Sequence, residues 1–174
     1  IGPKLCCQCA LLIQQELNWM KELHVVISVV TSDGYYGTLG TRTRKQFTAF
    51  GKSRHASKSI TKINALQFKV PILICETTKN SCDSLVVRPI SSVKFDKYRT
   101  TVYELLSDVS NDSEFMFEMD PEKQSYNQYT EAYELLQQGK IKAAQEKLKH
   151  FVEDCPDDLP GRKLFDLVES LPHF

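Results

Sequence analysis

Residues 31–60, TSDGYYGTLGTRTRKQFTAFGKSRHASKSI, have the layout of a nucleotide-handling site, yet most of the side chains such a site would use are absent. Gly37 and Gly40 stand three apart, and Gly51 heads a helical pattern. A residue without Cβ lets backbone N–H groups approach an anion, and a helix N-terminus favours negative charge. Behind Gly51 a helical pattern carries Lys52, Lys58 and Lys62 off its apolar stripe. No acidic residue occurs between Asp33 and Glu76, against eight Lys/Arg, while fourteen acidic residues meet seven basic ones from Asp112 onward. Two solvated faces of opposite sign account for this distribution, and a site for phosphate or another polyanion is the other reading.

Other chemistries fit less well. The glycine loop lacks the Gly-Lys-Ser/Thr ending of a P-loop. Aromatic residues interleave with the basic ones, yet 22 basic and 22 acidic residues cancel over the chain, so no nucleic-acid partner is expected. No Ser/His/Asp or Cys/His set is placed for nucleophilic catalysis. Cys6, Cys7, Cys9, Cys75, Cys82 and Cys155 show no disulfide-framework spacing and no second zinc-ligand pair, and they read as buried or half-buried free thiols with no metal.

The elements that must position these residues follow from periodicity. Apolar residues at helical spacing predict a helix over 4–21, and the β-branched run 24–30 predicts a strand buried on both faces. Strands follow over 35–39 and 46–50, joined by the basic loop 41–45. A helix over 53–66 turns Ala56, Ile60 and Ile63 inward. A buried strand over 72–75, a short helix from Glu76, edge strands over 85–90 and 93–95 and a last strand over 100–106 complete the pattern. Pro89 argues against a central position. Intermixed helices and neighbouring strands favour α+β with a largely antiparallel sheet. A polar, acidic stretch reads as a linker, and helices over 125–138, 140–153 and 161–171 follow. Ala132, Gly139, Ala144, Phe151 and Pro156 have the spacing of one tetratricopeptide-like unit, which needs a neighbour to lean on. No run reaches the roughly 18 apolar residues that span a bilayer. The start at Ile1-Gly2-Pro3, without methionine, reads as an excerpt of a longer protein.

Taken together, residues 5–106 resemble the second half of the class III adenylate/guanylate cyclase domain. Thr31-Ser32 stands for its Thr-Gly, Gly37-Thr38-Leu39-Gly40 for Gly-x-x-Gly, and Arg44-Lys45-Gln46-Phe47-Thr48 for its basic-aromatic strand. Phe50-Gly51-Lys52 stands for Ile-Gly-Asp. Val70-Pro71-Ile72-Leu73-Ile74 is similar to the strand after the family's helix, and Val93-Lys94-Phe95 with Thr101-Val102-Tyr103-Glu104-Leu105 to its closing hairpin. The resemblance implies a partial, ferredoxin-like antiparallel sheet with helices over 1–107; the residues themselves give a linker over 108–122 and a small all-α, tetratricopeptide-like tail over 123–174. It implies nucleotide-facing roles for Gly37, Gly40, Gly51, Lys52 and Lys94, or Lys97 in place of the last.

The departures are chemical. Where active members carry the helix Asn and Arg that touch the ribose and the transition-state phosphate, this chain has His55 and Ser59. A serine hydroxyl cannot replace a guanidinium fork. The base-reading Asp or Cys position holds Lys52, and the metal-binding aspartates belong to an earlier strand. The expectation is therefore a degenerate, inactive homology domain serving as a dimerisation, regulatory or scaffold module. It would form a homo- or heterodimer through the cyclase-like part, with a protein partner possible at the tail. The alternative is part of an active cyclase using ATP or GTP with Mg or Mn, its aspartates outside this chain. The compartment implied is cytoplasmic, within a parent that could be membrane-bound.

Overall fold

Helical and extended patterns alternate along the chain, and the fold keeps their order. The computed structural model describes residues 2–20, 22–95, 98–109 and 122–171. The elements are α1 (Pro3–Leu17), β1 (Ile27–Val29), β2 (Gly34–Gly40), β3 (Lys45–Gly51) and α2 (Lys52–Ile63), which runs into a π-helical turn (Asn64–Phe68). Then come β4 (Ile72–Cys75), α3 (Glu76–Asn80), β5 (Leu85–Phe95), β6 (Tyr98–Asp108), α4 (Glu122–Gln137), α5 (Ile141–Asp154) and α6 (Leu159–Glu169). The class is α+β.

One sheet has the order β1-β4-β6-β5, while β2 and β3 form a separate two-stranded ribbon. The main sheet is mixed rather than antiparallel throughout, because β1 and β4 run parallel. Between them lie the ribbon and α2, a crossover long enough to return the chain in the same direction. β1 is half-buried rather than buried on both faces, since it occupies a sheet edge. The first helix stops at Leu17, short of residue 21, where the Asn18 N–H turns back to Gln15 O. The two runs expected as separate edge strands merge into β5. Register shifts beside Val87 and Pro89 absorb the proline's missing donor. Residues 110–121, within the expected linker, lie outside the described residues.

All four residues of β4 are buried, and successive side chains must face opposite ways. Leu73 and Cys75 join Ile60, Phe68, Val70, Ile90, Val93 and Val102 under α2 and the π-helical turn. Ile72 and Ile74 join Cys7, Ala10, Leu11 and Leu105 under α1. Thr78 on α3 ties the end of β1 to this layer: the Thr31 N–H donates to its Oγ1 at 3.0 Å, and that hydroxyl donates to Val29 O.

The tail has its own core, in which Ala132 and Ala144 are fully buried and let α4 and α5 approach closely. Gly139 turns the chain between them with φ +76. Gly161 lies against the Phe151 ring, where a Cβ would come within 2.3 Å of Cε1. The tail is pinned to the sheet by Arg88 of β5, which is 2% exposed. Its guanidinium pairs with Glu104 on β6 and, at 2.7 Å, with Asp158, the N-cap of α6. It also lies 4.1 Å from the Tyr126 ring centroid. Burial alone would lower its pKa, but the two carboxylates outweigh that and hold it above the ordinary arginine value. Lys163 of α6 adds a 2.6 Å bond to Gln67 O.

Candidate functional site

The glycine ribbon is built by pairing β2 with β3: Gly34 faces Gly51, Gly37 faces Thr48 and Gly40 faces Lys45. At its tip the Thr41 N–H donates to Arg44 O at 2.9 Å, and the Arg44 N–H to Thr41 Oγ1 at 3.2 Å. That turn requires Gly40, whose φ is +142 and whose Cβ would fall 1.9 Å from Arg44 O. Gly51, at φ +149, meets the other end of the ribbon, where a Cβ would lie 2.9 Å from Gly34 Cα. Ribbon closure thus explains two of the three predicted glycines. Gly37 is different: no atom lies within 4 Å of a Cβ built there. Its missing side chain leaves open space above mid-strand.

Gly51 also opens α2 without a side-chain cap, and the first turn carries no acidic residue. The leading N–H groups therefore have no side-chain acceptor of this kind. Along α2, His55 and Ser59 share a face at i and i+4. His55 is exposed and Ser59 half-buried. The side chain of Lys52 lies outside the described residues, as does all of Lys97. Lys94 is exposed on β5, opposite Arg99 of β6, and so belongs to a different hairpin from the glycines.

Side chains adjacent to the predicted ones line a concave site. A groove of about 540 Å³ runs between α2, β1 and β3, lined by Arg54 and Ser57 of α2, Gln46 and Thr48 of β3, and Ser28 of β1. The Ser28 Oγ is buried and has no hydrogen-bond partner. A guanidinium, three hydroxyls and an amide, with no carboxylate among the lining residues, suit an anion. Neither His55 nor Ser59 lines this groove. Sequence reasoning did not single out Arg54 and Ser57, because Lys52, His55 and Ser59 mark a different face of α2. The signal was present in the i, i+3 spacing of Arg54 and Ser57 beside the inward stripe of Ala56, Ile60 and Ile63. Among the described residues no group of three His, Cys, Asp or Glu could hold a metal ion, and no helix is long and apolar enough to cross a membrane.

The ribbon also leaves large apolar side chains in water. Tyr35 is 84% exposed, Tyr36 80%, Phe47 69%, Leu39 52% and Phe50 44%. Cross-strand register puts Tyr35, Leu39 and Phe50 on one face and Tyr36 and Phe47 on the other, the latter two rings 6.2 Å apart. No family model, curated protein or solved structure matches this chain.

Proposed function

We propose that this chain is the later half of a degenerate class III nucleotide cyclase homology domain, with a ferredoxin-like sheet and a tetratricopeptide-like tail, and that it acts by pairing. Its partner on this reading is a second cyclase-like domain, in a homo- or heterodimer. The reading rests on the order of motifs from Thr31 to Leu105 and on the substitutions at Lys52, His55 and Ser59. Transition-state charge on a transferred phosphoryl group needs fixed cationic donors, and neither imidazole nor hydroxyl supplies a guanidinium at those places. The observation that carries the pairing is the ribbon. A single two-stranded hairpin is marginal alone, and five large apolar side chains exposed on it are a cost unless a partner covers them.

Sedimentation of the chain alone and with an active class III cyclase domain tests the pairing, alongside turnover assays with ATP and GTP in manganese. The expected result is association that weakens when Tyr36→Asp and Phe47→Asp are combined, with no turnover by the chain alone. Turnover that His55→Ala abolishes would sink the inactive reading in favour of an active cyclase. A chain that pairs with neither itself nor a cyclase domain would sink the pairing.

A further inference from the structure

α1 is apolar on two sides. Cys7, Ala10 and Leu11 are buried against the sheet, where the main contacts of the helix are with β1, β4 and β6. The opposite side carries Leu5, Cys9 and Leu12 at the four- and three-residue intervals of a helix-pairing seam, with Ile13 beside them. Leu5 is 52% exposed, Leu12 40% and Ile13 49%, and Cys9 is exposed as well. No charged residue interrupts the stretch from Leu5 to Gln15. An apolar stripe of this kind on the water side of a helix marks a surface that something covers.

The charges at the two ends of the helix identify the cover. Lys4 stands in the first turn and Glu16 in the last, and both are exposed. Each is at the wrong end for its own helix, whose N-terminus is the positive pole and whose C-terminus is the negative one. The first turn has no side-chain cap and no acidic residue, and the last turn has no basic one. An antiparallel copy of the same helix reverses both faults. Glu16, in line with the seam, comes over the partner's first turn, and Lys4 comes to the partner's last turn. A parallel copy would bring Glu16 onto its own counterpart. A lipid surface favours several basic residues flanking the stripe, and α1 has Lys4 alone.

We infer that the outer face of α1 docks a second copy of this chain, the two α1 stripes packing antiparallel about a two-fold axis near Cys9. The stripe is about four turns long, small against the roughly 800 Å² per partner of a standard interface, so the dimer is a weak one. A weak dimer leaves Cys9 reactive in dilute solution and shields it as the chain is concentrated. The face is separate from the ribbon, so this pairing does not depend on cyclase ancestry or on the ribbon's partner.

The full chain carrying Tyr36→Asp and Phe47→Asp removes the ribbon's contribution and leaves α1 to be tested by itself. Sedimentation over a concentration series is expected to show a monomer–dimer equilibrium that Ile13→Asp weakens at least about tenfold at unchanged melting temperature. Glu16→Lys suits the helix's own C-terminus, yet it is expected to weaken the dimer about two- to fivefold because it sets a cation over the partner's first turn. Direction is read by cross-linking in a Cys9→Ala background, with the parent ribbon as well as the altered one. A short bismaleimide should join Leu5→Cys chains to Ile13→Cys chains more efficiently than it joins either to itself, as mapped by peptide mass spectrometry. Stronger linking of Leu5→Cys chains to one another would mean parallel packing and would overturn the assignment. So would a chain that stays monomeric over the whole series, or a dimer indifferent to Ile13→Asp.

Discussion

Cys7 and Cys9 stand two residues apart on α1 and so point to opposite sides of the helix. Cys7 is fully buried against the sheet, and burial, helped by Cys82, Cys6 and Asp108, pushes its thiol up to about 12. Cys9 is exposed, contrary to the expectation that every thiol would be at least half-buried. A thiol-reactive reagent on the native chain is expected to modify Cys9 quickly and Cys7 only after unfolding, as read by peptide mass spectrometry. The raised value also fixes a pH dependence. In the unfolded chain the Cys7 thiol ionises near its ordinary 9.0, while the folded chain keeps the proton to about 12. Stability from this group is complete below the lower value and falls as pH rises toward the upper one. Burial shifts the Tyr129 hydroxyl in the same direction. Urea midpoints should therefore fall with pH from about 9 upward, and Cys7→Ala should flatten that slope whatever it does to the absolute midpoint.

At the scale of elements, the ribbon was legible because its signals are local. Alternation of Phe47 and Ala49 with Gln46 and Thr48 marked the second strand, and the turn signal Ser32-Asp33-Gly34 marked the start of the first. The separate roles of Gly37, Gly40 and Gly51 were not legible, because a backbone approach depends on what lies across the strand. Gly40→Ala and Gly51→Ala should each cost about 1–3 kcal/mol, since both force a side chain into a left-handed backbone against neighbouring main chain. Gly37→Ala should stay within about 0.5 kcal/mol, as nothing occupies the space above it. Urea unfolding ranks the three, and hydrogen exchange of the ribbon amides shows whether the loss is local. β4 was equally legible, its four apolar residues leaving no side for solvent. The parallel pairing of β1 with β4 was not, because direction is set by the crossover rather than by either strand.

Across the whole molecule, Arg88 joins the sheet to the tail over a separation of 70 residues to Asp158. Removing the cation from beside the buried Glu104 and the half-buried Asp158 is costly, so Arg88→Ala should lose about 3–5 kcal/mol. Asp158→Asn should lose less. Asparagine still caps α6, where the Asp158 carboxylate now accepts the Gly161 N–H at 2.8 Å, and only its charge toward Arg88 goes. Limited proteolysis should release the tail readily from Arg88→Ala and slowly from Asp158→Asn. Equal protection in both variants would mean that the apolar contacts hold the tail without this ion pair.

Residues 31–60 by themselves determined the ribbon, the start of α2 and its inward stripe, because turns and amphipathic faces are written at separations of a few residues. The sequence likewise carried the motif order on which the proposed cyclase reading rests, and the presence of His55 and Ser59 at the two places that proposal reads as reactive. Only the tertiary structure decided that Arg54 and Ser57 line the groove, that Gly37 faces open space and that Arg88 is buried. Each of those depends on which distant segment packs against a given face. Periodicity states that a face must be covered, whereas the partner that covers it is chosen by packing, burial and charge in three dimensions.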